Sequence, residues 1–256
     1  MTKRILIIIQ RSNGDVFLSS NLINALFKHY DSPEIDLLVN HDTYSIASLL
    51  PNINFIHQFS YVKKNENRWK QEKNIIKKIF RKYDLSINLT ASDRSIIYAL
   101  CASRKSISAI EKNKLKSWWK KIFLSDYYYF DLNQHILINN TEPLNFLKIK
   151  HKKVLEYPVI SDEVFSAVKL KLSKYGIDEF MIFHPSAQYN YKIYPKHLRN
   201  KLLKSLNSLG IPILITGTNN KIDSQIKKEI PKAKNIFNFI VKTSLEEYFA
   251  LSQLSL

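Results

Sequence analysis

The sequence predicts an α/β protein built on parallel β-sheets. Apolar runs of strand length alternate along the chain with segments whose apolar residues recur at helical spacing. Strands separated by helices of this length are typical of βαβ units, in which successive strands lie parallel. The chain has 256 residues, of which 45% are hydrophobic, so it can form one large domain or two ordinary ones.

The first half of the chain contains five predicted strands. Each is a short apolar run, and together they cover residues 4–10, 34–39, 54–59, 84–89 and 106–110. Helical spacing predicts helices at residues 18–27, 68–82 and 92–101. The pattern is less regular between residues 112 and 153. A strand is predicted there at 127–130 and a helix at 134–146, with Pro143 arguing for a break.

A second alternation begins after residue 158. Its predicted strands cover residues 180–184, 211–216 and 235–240, and its predicted helices cover 162–175, 195–209, 222–230 and 244–253. Gly176 and Gly210 follow two of these helices, at a position where glycine commonly ends a helix. We therefore expect two α/β domains, residues 1–155 and 156–256.

The charge balance is strongly basic. The 39 Lys and Arg residues exceed the 22 Asp and Glu residues, which gives a net charge of +17. A positive field of this size attracts nucleic acids, phosphorylated glycolipids and anionic membranes. Part of it reflects codon usage, because most of the cations are Lys and the chain is also rich in Asn and Ile, as AT-rich genomes encode.

Composition excludes several other classes of protein. Cys101 is the single cysteine, so an internal disulfide framework and a four-cysteine zinc site are excluded. The seven His residues show no metal-ligand spacing, and no metal site is predicted. No apolar run approaches the roughly 20 residues of a membrane-spanning helix, and the run near the N-terminus is too short for a signal peptide.

The first candidate site follows the first predicted strand, at residues 11–15. In open α/β sheets, ligands bind at the carboxyl ends of the strands. Asp15 can accept a proton there from a hydroxyl nucleophile, and Asn13 and Gly14 can line the same loop. The commoner explanation of such an Asp is a helix cap. A dinucleotide fingerprint is excluded, because it needs three glycines and the segment contains only Gly14.

The second candidate site follows the strand predicted at residues 180–184. Ser186, Lys192 and the N–H groups of the next helix together suit a diphosphate. The alternative is an ordinary strand–loop–helix junction with a solvated Lys. Gly217 and Thr218 follow the next predicted strand, and in a parallel sheet they would lie beside this site. A simple turn is the alternative for them.

Two further features have an ordinary structural explanation. Trp118 and Trp119 stand among lysines, and such a patch can lie on a membrane or stack on bases. More often, however, one ring of such a pair packs inward. His184 is predicted to make a packing or hydrogen-bonding contact at the end of its strand.

These segments together resemble glycosyltransferase family 9, the ADP-heptose:lipopolysaccharide heptosyltransferases, and are nearest to the core heptosyltransferase III type. The similarity lies in the first strand with its Gly14-Asp15 pair, the strand at 34–39, the Tyr-Asp-Leu strand at 83–89 and the loop at 184–195. It covers essentially the whole chain.

The resemblance implies a GT-B fold, in which an acceptor-side and a nucleotide-sugar-side Rossmann-like domain face each other. It implies an inverting, metal-independent transfer of a heptose or similar sugar from an ADP-sugar to the inner core of lipopolysaccharide, without a cofactor. Asp15 matches the general base, and Ser186 and Lys192 match the ligands of the donor phosphates. The implied protein is cytoplasmic, with an anionic glycolipid acceptor and peripheral contact with the inner membrane surface, and nucleic acid is not an expected partner.

The chain departs from the family pattern in three places. Tyr194 replaces the usual Trp, and Asn219 stands near the position where some members have a Glu that contacts the nucleotide. The family also continues into a strand and a loop bearing Asp and His, whereas this sequence stops at Leu256. We therefore expect a truncated second domain and a poor or inactive transferase. The alternative to a truncation is that the sequence covers only part of a longer gene product. The alternative functions are a non-catalytic remnant that binds only acceptor, and a basic nucleic-acid-binding protein.

Overall fold

Two parallel β-sheets organise the chain, one in each of two units, Met1–Val159 and Ile160–Leu256. The computed structural model describes residues 2–112, 114–151, 158–187 and 189–256, but not the side chains of residues 64–68, 114 and 116. The predicted α/β fold with parallel sheets is confirmed.

The sheet of the first unit has six parallel strands. They are β1 (Arg4–Ile9), β2 (Glu34–Asn40), β3 (Phe55–Phe59), β4 (Leu85–Asn88), β5 (Ser106–Ile110) and β6 (Asp126–Tyr129). Their order is β3-β2-β1-β4-β5-β6, that of a doubly wound nucleotide-binding fold. Helices cover both faces of such a sheet, which explains why the strands are continuous apolar runs. The side chains from Ile5 to Ile9 in the central strand are accordingly fully buried.

Seven helices of the first unit lie among the described residues. They are α1 (Asn13–Phe17), α2 (Ser20–His29), α3 (Tyr44–Ala47), α4 (Tyr61–Ile79), α5 (Asp93–Ala102), α6 (Lys114–Phe123) and α7 (Ile136–Phe146). On one face of the sheet, α4 and α5 bury Ile79 and Tyr98 against Leu6 and Ile8 of β1. None of the described helices of the chain is both long enough and apolar enough to cross a membrane.

The second unit repeats the alternation on a smaller sheet. Its elements are α8 (Asp162–Ser173), β7 (Met181–Phe183), α9 (Lys196–Asn207), β8 (Ile213–Ile215), α10 (Lys221–Glu229), β9 (Ile236–Asn238) and α11 (Leu245–Leu254). The strands are parallel in the order β7-β8-β9. Gly176 adopts the left-handed conformation after α8, with φ of 63°, as its predicted role requires. Ser244 and Glu247 form a capping box that starts α11.

The structure corrects two predicted helix starts. The helix expected from residue 18 begins earlier, at Asn13, and is divided into α1 and α2. Helix α4 starts at Tyr61 rather than at residue 68, because Ser60 caps it by accepting a hydrogen bond from the N–H of Lys63 at 3.3 Å. Both starts are therefore set by a serine cap that precedes the apolar stripe.

Two other helices differ from expectation. Helix α7 continues through Pro143, so the break predicted there is wrong. The proline is buried within the fold, and its packing outweighs the backbone hydrogen bond that it cannot donate. Helix α6 has no predicted counterpart. Its apolar residues do recur at helical spacing, but Leu115, Trp118 and Ile122 are exposed rather than buried.

Candidate functional site

The first candidate site lies where β1 ends and α1 begins. Ser12 is the residue before α1, and its hydroxyl accepts a weak hydrogen bond from the N–H of Asp15 at 3.5 Å. The capping role that could have explained Asp15 therefore belongs to Ser12. Asn13, Gly14 and Asp15 form the first turn of α1, with Asn13 and Gly14 exposed and Asp15 partly buried.

Neighbouring residues fix the position of Asp15. Arg11 Nε donates to Asp15 Oδ2 at 3.0 Å, and the two side chains are 29% and 20% exposed. The Arg11 guanidinium lies over the ring of Phe130, 4.5 Å from its centroid. Asn140 Nδ2 donates to the backbone carbonyl of Asp15 at 3.2 Å. The carboxylate is thus held by Arg11, which packs on the ring that follows β6, and the Asp15 backbone is held by α7.

This geometry leaves one carboxylate oxygen of Asp15 available. Arg11 engages Oδ2, whereas no hydrogen bond from a residue that the structure describes reaches Oδ1. A partly exposed carboxylate with one oxygen fixed and the other open can accept a proton from a hydroxyl group that binds within hydrogen-bonding distance of it. The role of Asp15 as a base stays a prediction that this arrangement permits.

Two buried polar groups belong to Tyr128, on β6, and to Asn140, which donates to the backbone of Asp15. Within the described part of the chain, the Tyr128 hydroxyl and Asn140 Oδ1 are buried without a hydrogen-bond partner. Burial, reinforced by the charge of Glu142, raises the pKa of Tyr128 against the opposing effect of Arg11, so the phenol stays neutral. Buried polar atoms normally find a partner, so this region has hydrogen-bonding capacity that protein atoms do not use.

A cationic group, Arg94, lies at the same carboxyl edge of the sheet. Its Nε donates to Gln10 Oε1 at 3.4 Å, and Gln10 directly follows β1. Its guanidinium stacks on Phe59, 3.8 Å from the ring centroid, and Nη2 donates to the Tyr61 hydroxyl at 3.1 Å. These contacts hold a positive charge in a fixed position, where it can bind an anionic group. Sequence reasoning did not select Arg94.

The second candidate site begins at the end of β7. His184 Nδ1 lies 3.0 Å from Thr216 Oγ1, which follows β8, and Ser186 Oγ lies 3.4 Å from His184 Nε2. The hydrogen-bonding role predicted for His184 is confirmed. A chain of polar contacts therefore joins the carboxyl ends of two adjacent strands and includes Ser186.

Lys192 lies further along the same loop, in a short 3-10 turn at Asn190–Lys192. Its ammonium is exposed and lies 5.7 Å from the ring centroid of Tyr189 and 5.8 Å from that of Tyr191. Among the described residues no carboxylate pairs with it, and no hydrogen bond joins it to Ser186. The two predicted phosphate ligands share one loop, and their ligand roles stay predictions.

The loop after β8 is organised by Asp223, which is fully buried. Asp223 Oδ2 accepts hydrogen bonds from the N–H of Thr218 at 2.7 Å, the Thr218 hydroxyl at 3.0 Å and Asn220 Nδ2 at 2.7 Å. Both donors of Thr218 are therefore engaged within the loop. Gly217 lies against the same carboxylate, because a Cβ at this position would be 2.9 Å from Asp223 Cγ. The proposed ligand role of Gly217 and Thr218 stays a prediction.

A hollow of about 430 Å³ lies between the loop at 190–195 and helices α9 and α10. Arg199, which is buried, forms part of its wall, and Arg199 Nη2 donates to Glu229 Oε2 at 2.8 Å. The Arg199 hydrogen bond is the main cause that lowers the pKa of Glu229. The pair joins α9 to α10 and supports the helix that follows the candidate phosphate loop.

Substitution by alanine should affect the stability of the protein differently at Gly14 and at Gly217. No atom lies within 4 Å of a Cβ built at Gly14, so Gly14→Ala should leave stability unchanged or raise it by up to about 1 kcal/mol, as alanine does in helices. Gly217→Ala should lower the free energy of unfolding by about 1–3 kcal/mol through overpacking against Asp223. Urea unfolding of both variants measures the difference. Equal stabilities would contradict the close packing at Gly217.

No group of three or more His, Cys, Asp or Glu side chains that could hold a metal ion occurs in the described residues. Metal independence itself stays a prediction. Side chains that supply positive charge at the candidate sites include Arg11 and Arg94, on α5, in the first unit and Lys192 in the second.

Comparisons with known proteins agree with the resemblance inferred from the sequence. The chain matches no family model. It is 26% identical over 255 residues to lipopolysaccharide heptosyltransferase 3 of Escherichia coli K12, covering 94% of this chain and 72% of that protein. A second E. coli protein of that name is 26% identical over 86% of this chain, which spans 65% of its length.

Solved structures show the same fold. The glycosyl transferase family 9 structure from Veillonella parvula superposes with a TM-score of 0.80 at 17% identity, covering 99% of this chain and 73% of that one. E. coli heptosyltransferase WaaC with ADP gives a TM-score of 0.70 at 16% identity, covering 98% of this chain and 78% of that one. The predicted resemblance and fold class are confirmed.

Proposed function

We propose that this chain, which resembles the heptosyltransferases of glycosyltransferase family 9 in sequence and fold, is a glycosyltransferase. It moves a heptose or similar sugar from an ADP-sugar to the inner core of lipopolysaccharide. The observation that carries the proposal is Asp15, held at the end of β1 with Oδ2 on Arg11 and Oδ1 open. The names of the curated relatives and the ADP in the WaaC structure support the choice of sugar and donor.

The proposed reaction is a single displacement with inversion. An acceptor hydroxyl oxygen attacks the anomeric carbon of the heptose while its proton passes to Asp15. The bond between that carbon and the β-phosphate oxygen breaks, and ADP departs with the electron pair. Lys192 and Ser186 bind the diphosphate, so the charge that develops on the leaving group is stabilised by the chain itself. No metal ion takes part.

The acceptor is proposed to be an anionic glycolipid. Arg94, which Phe59 and Gln10 hold at the carboxyl edge of the first sheet, is the candidate ligand for one of its phosphate or carboxylate groups. The net charge of +17 would bring such an acceptor toward the protein.

A direct test uses the 256-residue chain itself. ADP is titrated into it by calorimetry, and sugar transfer is measured with ADP-heptose and a lipopolysaccharide acceptor that has an incomplete inner core. We expect ADP to bind. The chain spans 72% of the relative's length, and transfer of the sugar is the result that would support the proposal.

The same measurements separate the rival functions. Binding of the acceptor without ADP binding or transfer would favour a non-catalytic acceptor-binding protein. Binding of DNA with a steep salt dependence, and no ADP binding, would favour a nucleic-acid-binding protein. Either result would contradict the proposed transferase.

A further inference from the structure

Helix α6 carries its large apolar side chains on the outside of the protein. Leu115, Trp118 and Ile122 are 88%, 62% and 66% exposed. They are three and four residues apart, so they form one continuous stripe along a ten-residue helix. Phe123, at the end of the helix, is also exposed.

The buried side of α6 is the polar one. Ser117 and Lys120 are almost completely buried. Ser117 Oγ donates to the carbonyl of Glu111 at 2.9 Å, and Lys120 Nζ lies 2.7 Å from Asp93 Oδ1. A surface helix normally buries its apolar stripe and exposes its charges. In α6 this arrangement is reversed, so the stripe contributes little to the core of the unit.

Trp118 and Trp119 illustrate the reversal. Trp119 packs against the buried cluster of Ile96, Ile110 and Leu124, as one ring of such a pair is expected to do. Trp118 points away from that cluster and is mostly exposed. A large aromatic ring kept in water next to two other exposed apolar side chains indicates a surface that is covered in use.

The charge of α6 favours an anionic lipid surface. The helix contains four Lys residues and no Asp or Glu, and of these Lys120 is buried against Asp93 and faces away from the stripe. Lys121 directly precedes Ile122 of the stripe, and its ammonium is 5.4 Å from the ring centroid of Tyr129. Short helices with Trp and Leu on the apolar side and several lysines bind in the interface of anionic membranes.

The location of α6 also fits contact with a lipid surface. The helix follows β5, so its first turn, which bears Leu115, lies at the carboxyl edge of the parallel sheet. Leu132, which follows β6 at that edge, is also 88% exposed. Asp15 lies at this edge too, because it follows β1 in the same sheet. The apolar stripe and the candidate base therefore share one edge of the first unit.

We propose that the stripe Leu115–Trp118–Ile122 docks the protein on anionic lipid bilayers, with α6 lying in the interface plane. Its three side chains enter the boundary between headgroups and acyl chains, while Lys121 contacts the headgroups. This inference goes beyond the proposed transfer reaction, and its test requires no enzymatic activity.

The test is co-sedimentation of the whole chain with vesicles. Vesicles of phosphatidylglycerol and phosphatidylcholine in equal parts are compared with vesicles of phosphatidylcholine alone. We expect binding to the anionic vesicles. The variant L115Q/W118Q/I122Q should lower the partition coefficient about tenfold or more, because it removes the apolar contacts and leaves every lysine in place. Circular dichroism checks the fold, which the exposed substitutions should preserve.

A matched control comes from α4. Trp69 is 73% exposed, and Trp69→Gln should leave vesicle binding unchanged. Tryptophan fluorescence adds a second measurement. In a Trp69→Phe background, anionic vesicles should shift the emission to shorter wavelength, and the shift should disappear when Trp118→Phe is added.

Three results would overturn the proposal. One is unchanged vesicle binding by the triple variant, which would mean that charge alone attracts the protein. Another is a loss of vesicle binding by the Trp69→Gln protein that equals the loss in the triple variant. The third is a protein that binds no vesicles and forms a dimer in light scattering that the triple variant dissociates, which would assign the stripe to contact between copies.

Discussion

Replacing Asp15 with Asn should lower the rate of sugar transfer by about 10²–10⁴. The amide keeps an oxygen that can accept the Arg11 Nε hydrogen bond, so the position of the side chain should change little. What is lost is the capacity to take the proton of the acceptor hydroxyl. ADP affinity should stay nearly unchanged, because the residues proposed to bind the diphosphate belong to the loop at 184–195.

Asp42 provides a matched control for this substitution. It is an exposed carboxylate in the short turn after β2, at the same edge of the sheet as Asp15. Asp42→Asn should leave turnover within about twofold of the parent, since no proposed step uses it. Full turnover by the Asp15→Asn protein, with ADP binding intact, would leave Asp15 as a structural partner of Arg11 only.

The strands were predictable because burial on both sides of a parallel sheet requires an uninterrupted apolar run. Residues 4–9 and 106–110 illustrate this, since the predicted and observed strands there agree to within one residue. Helices were less predictable where their apolar side chains do not face the core. Helix α6 has a buried Lys120 and an exposed Trp118, so periodicity alone could not assign its inward face.

The contacts around the candidate sites were predictable only where they are local. Arg11 and Asp15 are only four residues apart, and although Arg11 lies before α1 rather than on it, such a local ion pair could have been found. The same holds for Asn220 and Asp223, whose spacing is that of a helix cap and the third residue of its helix. Asn140 lies 125 residues from Asp15, and no local pattern indicates that contact.

Removing the charge of Lys192 should weaken ADP binding by about 1.5–3 kcal/mol, the contribution of a charge-assisted hydrogen bond. That is an increase of about 10- to 150-fold in the dissociation constant. The ammonium is exposed beside Tyr189 and Tyr191 and has no carboxylate partner among the described residues, so it can turn to a diphosphate without breaking an ion pair.

Two variants distinguish the charge of Lys192 from its packing. Lys192→Met keeps an apolar stem beside Tyr191, whose ring stacks with that of Tyr189 at 5.6 Å, whereas Lys192→Ala removes the stem as well. We expect calorimetry to give the same loss of ADP affinity for both. Lys196 is the matched control, because its Nζ already lies 3.6 Å from Glu229 Oε1, and Lys196→Ala should change ADP affinity less than about threefold. An equal loss in the Lys196 variant would indicate general electrostatic attraction, and unchanged affinity in both Lys192 variants would move the donor phosphates away from this loop.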